Sequence, residues 1–330
     1  RLLPASEAEK KIYERFEKVS SCYFIDSDSG TPENLNKING GHYSIIYANT
    51  STLGELLETL DNGSTPILSH IHELSFWVNY RVGKESFHKQ VDKTAKFIAC
   101  SKSVKDMLAD EFNIENSRIE TIHASTNVNL PEGKDKEKIR LSIRKQLDLD
   151  EKQMLIISCG TFDWRKGCDL FLPLLSKLKS IMKPDSFKAV WLGDYGGSLI
   201  MDQFNYEAHR RGLLGYVEML GPVSNPTDYM QSAECYVLTS REDPFPLVML
   251  EAASACLPIV GFEKSGGFDE FVDEGGAVGV PYLDLDLMAE EIKNISKNKN
   301  KYKKIGEKGF ETAKKYSHEN SFELTYQTMI

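Results

Sequence analysis

The sequence lacks the marks of several large protein classes. No run approaches the roughly 18–20 apolar residues of a membrane span, and no stretch reads as a secretory signal. The chain opens at Arg1 rather than Met, so a cut N-terminus is expected. Its six cysteines, Cys22, Cys100, Cys159, Cys168, Cys235 and Cys256, form no CxxC pair. Scattered through apolar strand-like runs, they read as reduced core residues of a cytosolic protein, not as a disulfide framework or metal site. Positive charge is also short: 40 Lys and Arg against 49 Asp and Glu leave a formal net charge of −9. That argues against general nucleic-acid binding, though not against a local basic patch. No G-x-G-x-x-G opens a first βα unit, which makes a dinucleotide oxidoreductase the least favoured reading. There is no short-period repeat. No strongly basic amphipathic stretch supports membrane-surface binding, although peripheral contact through a helix of the N-terminal half stays open.

What is present is an ordinary globular composition, 41% hydrophobic and 27% charged over 330 residues, a length that suits two domains. Strand-like and helix-like segments alternate. Strands are expected at 43–48, 66–71, 96–100 and 119–122, with helices at 53–60, 87–92 and 101–112. A Pro/Gly/charge-rich stretch at 129–138 reads as a linker. Beyond it, strands at 154–159, 187–192, 217–220, 235–239, 258–262 and 275–280 alternate with helices, and three helices close the chain. This βαβα order specifies parallel sheets covered on both faces. Expected domains are therefore 1–128, with a Rossmann-like sheet, and 139–316, with a second one. Helix 317–330 is expected to pack back on the first. A charged helix at 4–17, a strand at 22–25 and a loop at 27–41 are expected ahead of the alternation.

The stretch 240–260, Ser-Arg-Glu-Asp-Pro-Phe-Pro-Leu-Val-Met-Leu-Glu-Ala-Ala-Ser-Ala-Cys-Leu-Pro-Ile-Val, carries the chemistry. Pro246 suits a first helical position, and Pro258 ends the helix. The free N–H groups around Leu247 and Val248 lie at the positive end of the helix dipole, a ready anion site. Glu251 shares the apolar face of Leu247 and Val248, so it is desolvated unless it finds a partner. Asp243 stands at the loop mouth. One acid at the mouth, an anion site behind it and a second acid within suit a sugar joined to a nucleoside diphosphate. The plainer alternative is a capping Asp243 and a Glu251 paired with a basic residue.

This stretch resembles the donor-site motif of the retaining GT-B glycosyltransferases of the large family 4 type (glycosyl transferases group 1), in which an acid, seven intervening residues and a Glu recur. The resemblance runs from about Tyr43 to the C-terminus. It departs from the pattern in one respect: the first acid is usually Glu and here is Asp243. Glu242 stands beside it but lacks the spacing. The resemblance implies two Rossmann-like domains facing across a cleft, with the donor on the C-terminal one. It implies transfer of a sugar from a nucleoside-diphosphate sugar to a glycan or lipid-linked acceptor with retention of configuration, without a metal or other cofactor, and cytoplasmic or at the inner face of the membrane. A role in bacterial surface polysaccharide synthesis is a family-level expectation.

Residue by residue, Lys166-Gly167 matches the Lys-Gly that contacts the diphosphate. Thr161 stands where the family often has an Arg, and Arg165 is the substitute. Adjacent cations at a helix start oppose the dipole unless an anion sits there. Asp243 is assigned to hydroxyls of the transferred sugar, and Glu251 to the ribose diol. Gly266 and Gly267, in Ser-Gly-Gly ahead of Glu270, match the loop beside the donor sugar, and glycine permits close backbone approach to a ligand. His70 and His72 share one face of a strand. His72 best matches the family histidine near the reacting centre, with His70 second. Asn49 and Glu73 border the same mouth on the acceptor side. The expected catalytic set is Asp243, His72 and Lys166. Asp243 and Glu251 look like binding groups on one domain, not an acid/base pair of a hydrolase.

Such N-terminal domains usually open with a strand and a Gly-rich loop, and none is found ahead of Pro4. A missing first βα unit or a reduced domain is therefore expected. Two alternatives to a transferase remain at this point: a truncated or non-catalytic binder of nucleotide sugars, and another GT-B enzyme such as a sugar-nucleotide epimerase or a phosphorylase.

Overall fold

The computed structural model describes residues 14, 16–20, 42–60, 63–128 and 134–329. The strand expected at 22–25, the loop at 27–41, most of the helix at 4–17, Cys22 and the question of a missing first unit lie outside them.

Two parallel sheets are present. The first has strand order β1-β2-β3-β4, with β1 Ile46–Ala48, β2 Ile67–Ile71, β3 Lys96–Ala99 and β4 Ile119–Thr121. The second has order β10-β9-β8-β5-β6-β7, with β5 Met154–Cys159, β6 Phe187–Leu192, β7 Val217–Gly221, β8 Cys235–Leu238, β9 Ile259–Phe262 and β10 Val278–Val280. Every strand pair is parallel. Helices cover both faces, so β2, β8 and β9 are buried along their whole length. β8 and β9 accordingly read as continuous runs without a charged or strongly polar residue rather than as alternation, whereas β2 carries Ser69 and His70 in its buried span.

The helix Lys102–Phe112 begins where Ser101 predicts, with the Ser101 Oγ accepting from Val104 N at 3.2 Å. Two expectations differ. The helix expected over 87–92 lies inside Lys84–Lys93, but that helix continues a longer helical run, from Ser75–Trp77 through a π-helix, Val78–Gly83. The π-turn widens the period, and Gly83 sits at φ +90°, so the apolar spacing of a regular helix is lost there. The helix expected from residue 139 begins at Lys134, inside the linker-like stretch.

The two halves are tied together by specific contacts. Phe76 N donates to Glu242 Oε1 at 2.9 Å. Glu270 accepts from Lys102 N through Oε1 at 2.9 Å and meets His123 Nε2 through Oε2 at 2.7 Å. The last helix, His318–Met329, returns to the first sheet. Ser321 Oγ donates to the His123 carbonyl at 3.0 Å, and Met329 packs against Leu68, Ile98 and Ile122. Loops at the carboxyl ends of strands in both sheets thus face each other, where open α/β sheets bind ligands.

Candidate functional site

The loop after β5 carries Lys166. Its N–H donates to Asp163 Oδ1 at 2.9 Å, and its carbonyl accepts from Thr239 Oγ1 at 3.0 Å. Gly167 follows at φ +66°, and a Cβ there would lie 1.9 Å from the Thr239 carbonyl oxygen. Only glycine lets this loop sit against the end of β8. The result brings two separate sequence motifs together: Lys166 Nζ donates to Asp243 Oδ2 at 2.5 Å, with side chains 16% and 6% exposed. Arg165 projects alongside, with Nη1 donating to the Glu242 carbonyl at 3.3 Å.

Asp243 is fixed by its backbone. Its N–H donates to the Ser265 carbonyl at 2.7 Å, and its carbonyl accepts from Gly267 N at 3.1 Å. Gly266, at φ +127°, would place a Cβ 2.0 Å from the Asp243 carbonyl oxygen. The close approach permitted by Gly266 and Gly267 is to the 243–245 loop itself. The helix that follows is Leu247–Ser254, with Pro246 at its cap rather than in its first turn. No side chain among the described residues caps it, so the N–H groups at Leu247 and Val248 remain open to an anion. Glu251 is half-buried on this helix. Burial raises its pKa with no opposing charge or hydrogen bond, and no basic partner is present among the described residues. The paired alternative for Glu251 is thereby set aside.

Across the cleft, His70 and His72 do share a face, with ring centroids 4.0 Å apart. His70 is 8% exposed and hydrogen-bonded through Nδ1 to the Tyr47 hydroxyl at 2.5 Å. Burial, then the neighbouring His72, pushes its pKa down to about 3. His72 Nε2 meets Asn49 Oδ1 at 2.9 Å, and burial lowers its pKa against the pull of Glu73. Both rings are therefore neutral near pH 7. Glu73 is engaged locally, accepting from Thr50 Oγ1 at 2.6 Å and from the N–H groups of Ser51 and His72 at 3.0 Å.

A hollow of about 280 Å³ collects His72, Glu73 and Trp77 from the first half with Arg165, Glu242 and Pro244 from the second. His70 lies behind His72 and does not line it. The Lys166–Asp243 pair stands behind Arg165 and Pro244. In sequence Glu242 stands out only as a neighbour of Asp243, and Glu270 has no evident partner. Both are cross-domain acceptors, and nothing local in sequence signals a partner 166 or 147 positions away. Among the described residues no three ligating side chains converge as a metal site, and no helix is long and apolar enough to cross a membrane. The five described cysteines are free, with burial raising each thiol pKa.

Residues 139–312, more than half of the chain, match the family of glycosyl transferases group 1. Over 187 residues the chain is 25% identical to the uncharacterized glycosyltransferase MJ1607 of Methanocaldococcus jannaschii, covering 54% of this chain and 45% of that protein. Over 130 residues it is 25% identical to the poly(glycerol-phosphate) alpha-glucosyltransferase of Bacillus subtilis, covering 39% of this chain and 19% of that protein. The chain thus spans less than half the length of these curated relatives. The crystal structure of Anabaena Alr3699/HepE in complex with UDP-glucose aligns with a TM-score of 0.84 over 98% of this chain and 89% of that one, at 18% identity. At that identity the likeness carries the fold: two Rossmann-like domains facing across a cleft, the GT-B arrangement.

Proposed function

This chain belongs to the glycosyl transferases group 1 family, and on that premise we propose that it transfers a hexose from a nucleoside-diphosphate sugar to a saccharide or lipid-linked acceptor, with retention of configuration. The observation that carries the reading is the buried Lys166–Asp243 pair at the open N-terminus of helix Leu247–Ser254. A cation, an uncapped helix end and an acid that also faces the site are what a diphosphate joined to a sugar requires.

In this reading the donor diphosphate takes Lys166 from Asp243 and lies against Arg165 and the N–H groups of Leu247 and Val248. Asp243, released, accepts from hydroxyls of the transferred sugar. Glu251 accepts from the ribose diol. As the anomeric C–O bond breaks, negative charge grows on the leaving phosphate oxygen, and Arg165 and Lys166 stabilise it without a metal ion. The acceptor hydroxyl attacks from the face that the diphosphate leaves, and its proton passes to that phosphate oxygen. Neutral His72, held by Asn49, orients sugar or acceptor hydroxyls at the mouth. The UDP-glucose bound to the Anabaena protein favours a UDP-hexose donor, and the Bacillus relative favours a polymeric acceptor. We place the reaction in polysaccharide assembly in the cytoplasm, at the inner face of the membrane.

The test is a thermal-shift screen of nucleotide sugars. A ligand at about 100 times its Kd stabilises by ~2.7 kcal/mol, a rise of about 5–11 °C for a domain of this size. If no nucleoside diphosphate or nucleotide sugar raises Tm, the reading fails.

A further inference from the structure

A groove of about 600 Å³ opens beside the reacting hollow and shares Leu74 and Glu242 with it. Its volume falls in the range of small-ligand sites, roughly 300–1,000 Å³. Phe76, Asn79 and Tyr80 line it from one domain, and Trp164, Asp269 and Tyr282 from the other.

Its aromatic rings form a row across the domain boundary. Tyr80 and Phe76 are 5.5 Å apart by centroid, and Phe76 and Trp164 are 4.9 Å apart. The Arg241 guanidinium lies 5.0 Å from the Trp164 ring centroid and is itself held by a two-pronged pair with Asp169, at 2.6 and 2.7 Å. Trp164 is thereby held in place, yet Tyr80 is 78% exposed, Trp164 52% and Tyr282 44%. Rigid aromatics left uncovered at a concave surface mark an interaction site. Asn79 and Tyr80 are set by the π-turn Val78–Gly83, a distortion frequent at functional sites.

The polar groups narrow the ligand. Asn79 Oδ1 and Glu242 Oε2 are buried without a partner among the described residues. Each is an acceptor short of a donor, a deficit that a bound hydroxyl would remove. Glu111, Glu242 and Asp269 line the groove with Lys264 and Arg241, the latter already paired with Asp169, so its charge is negative in excess and disfavours a phosphate or other anion. An acyl chain fits the rings but offers no donors. A sugar ring supplies both an apolar C–H face and hydroxyl donors.

We infer that this groove is a binding subsite for an uncharged pyranoside of the acceptor, lying on the Tyr80–Phe76–Trp164 row and hydrogen-bonded to Asn79 and Glu242. The choice of ligand rests on the transferase reading. The test is saturation-transfer NMR with methyl α-D-glucopyranoside, methyl β-D-glucopyranoside, maltose, cellobiose, N-acetylglucosamine and glucose 1-phosphate. At least one neutral sugar receives saturation on its ring C–H protons, and Tyr80→Ala or Trp164→Ala weakens its Kd by at least about fivefold, equal to ~1 kcal/mol. Tyr80 is largely exposed, so that variant folds and the test does not depend on Trp164→Ala. The shift in Tm with UDP reports the donor site separately: loss of UDP binding with sugar binding kept sinks the transferase reading alone. No neutral sugar binding to the wild type, binding that survives both substitutions, or preference for glucose 1-phosphate overturns the subsite.

Discussion

Replacing Lys166 by Met should separate what the Lys166–Asp243 pair does for the fold from what it does for a ligand. Asp243 is 4% exposed. Apart from Lys166 its side chain has, among the described residues, only the Ser240 hydroxyl, at 3.5 Å. Removing the cation leaves an uncompensated buried carboxylate, which costs about 3–5 kcal/mol. At roughly 2–4 °C per kcal/mol for a domain of this size, Tm falls by about 6–20 °C. Lys166→Met combined with Asp243→Asn removes both charges and should recover most of that loss, because a neutral pair has no charge left to desolvate. Neither variant should gain Tm with a nucleoside diphosphate. Urea titration of wild type, both single variants and the double variant measures the coupling. A Lys166→Met protein within about 1 kcal/mol of wild type, or a double variant no more stable than the single, refutes the reasoning.

Two further outcomes follow from the same site. Glu251 has its pKa raised by burial with nothing opposing, so Glu251→Gln should hold or raise Tm. By removing a charged acceptor worth about 1.5–3 kcal/mol, it should weaken nucleotide binding about 10- to 100-fold; a fall in Tm with binding intact would make Glu251 structural. His70 titrates near 3 in the fold and near 6.5 unfolded. The unfolded chain thus takes up a proton that the fold refuses. This contribution to stability is complete above pH 6.5 and is lost towards pH 3, by about 1.4 kcal/mol per pH unit. His70→Gln should flatten the slope of ΔG between pH 6.5 and 4.5, and an unchanged slope contradicts the assignment.

Much of the fold was legible because its strands are buried on both faces and bounded by helix signals. The strand expected at 187–192 coincides with β6, and Ser101 caps its helix. The helical run from Ser75 was not legible, since a π-turn and Gly83 break the regular period. For the site, the spacing of Asp243 and Glu251 and the Lys166-Gly167 pair stood out locally. That Lys166 and Asp243 meet across 77 positions is a property of the β5 and β8 loops lying side by side. Gly266, expected to make room for a ligand, instead makes room for the Asp243 carbonyl, a partner that only coordinates reveal. The aromatic row had no sequence signature at all, because Tyr80 and Trp164 belong to different domains and meet through Phe76.

The proposed reaction is sugar transfer with retention from a nucleoside-diphosphate donor. The most direct measurement is NMR of the product formed from the donor identified by thermal shift, with release of nucleoside diphosphate followed in parallel. Release should depend on a saccharide acceptor, the product should keep the anomeric configuration of the donor, and Asp243→Ala should lose both. Acceptor-independent conversion of the donor, or a product of inverted configuration, would contradict the proposed reaction.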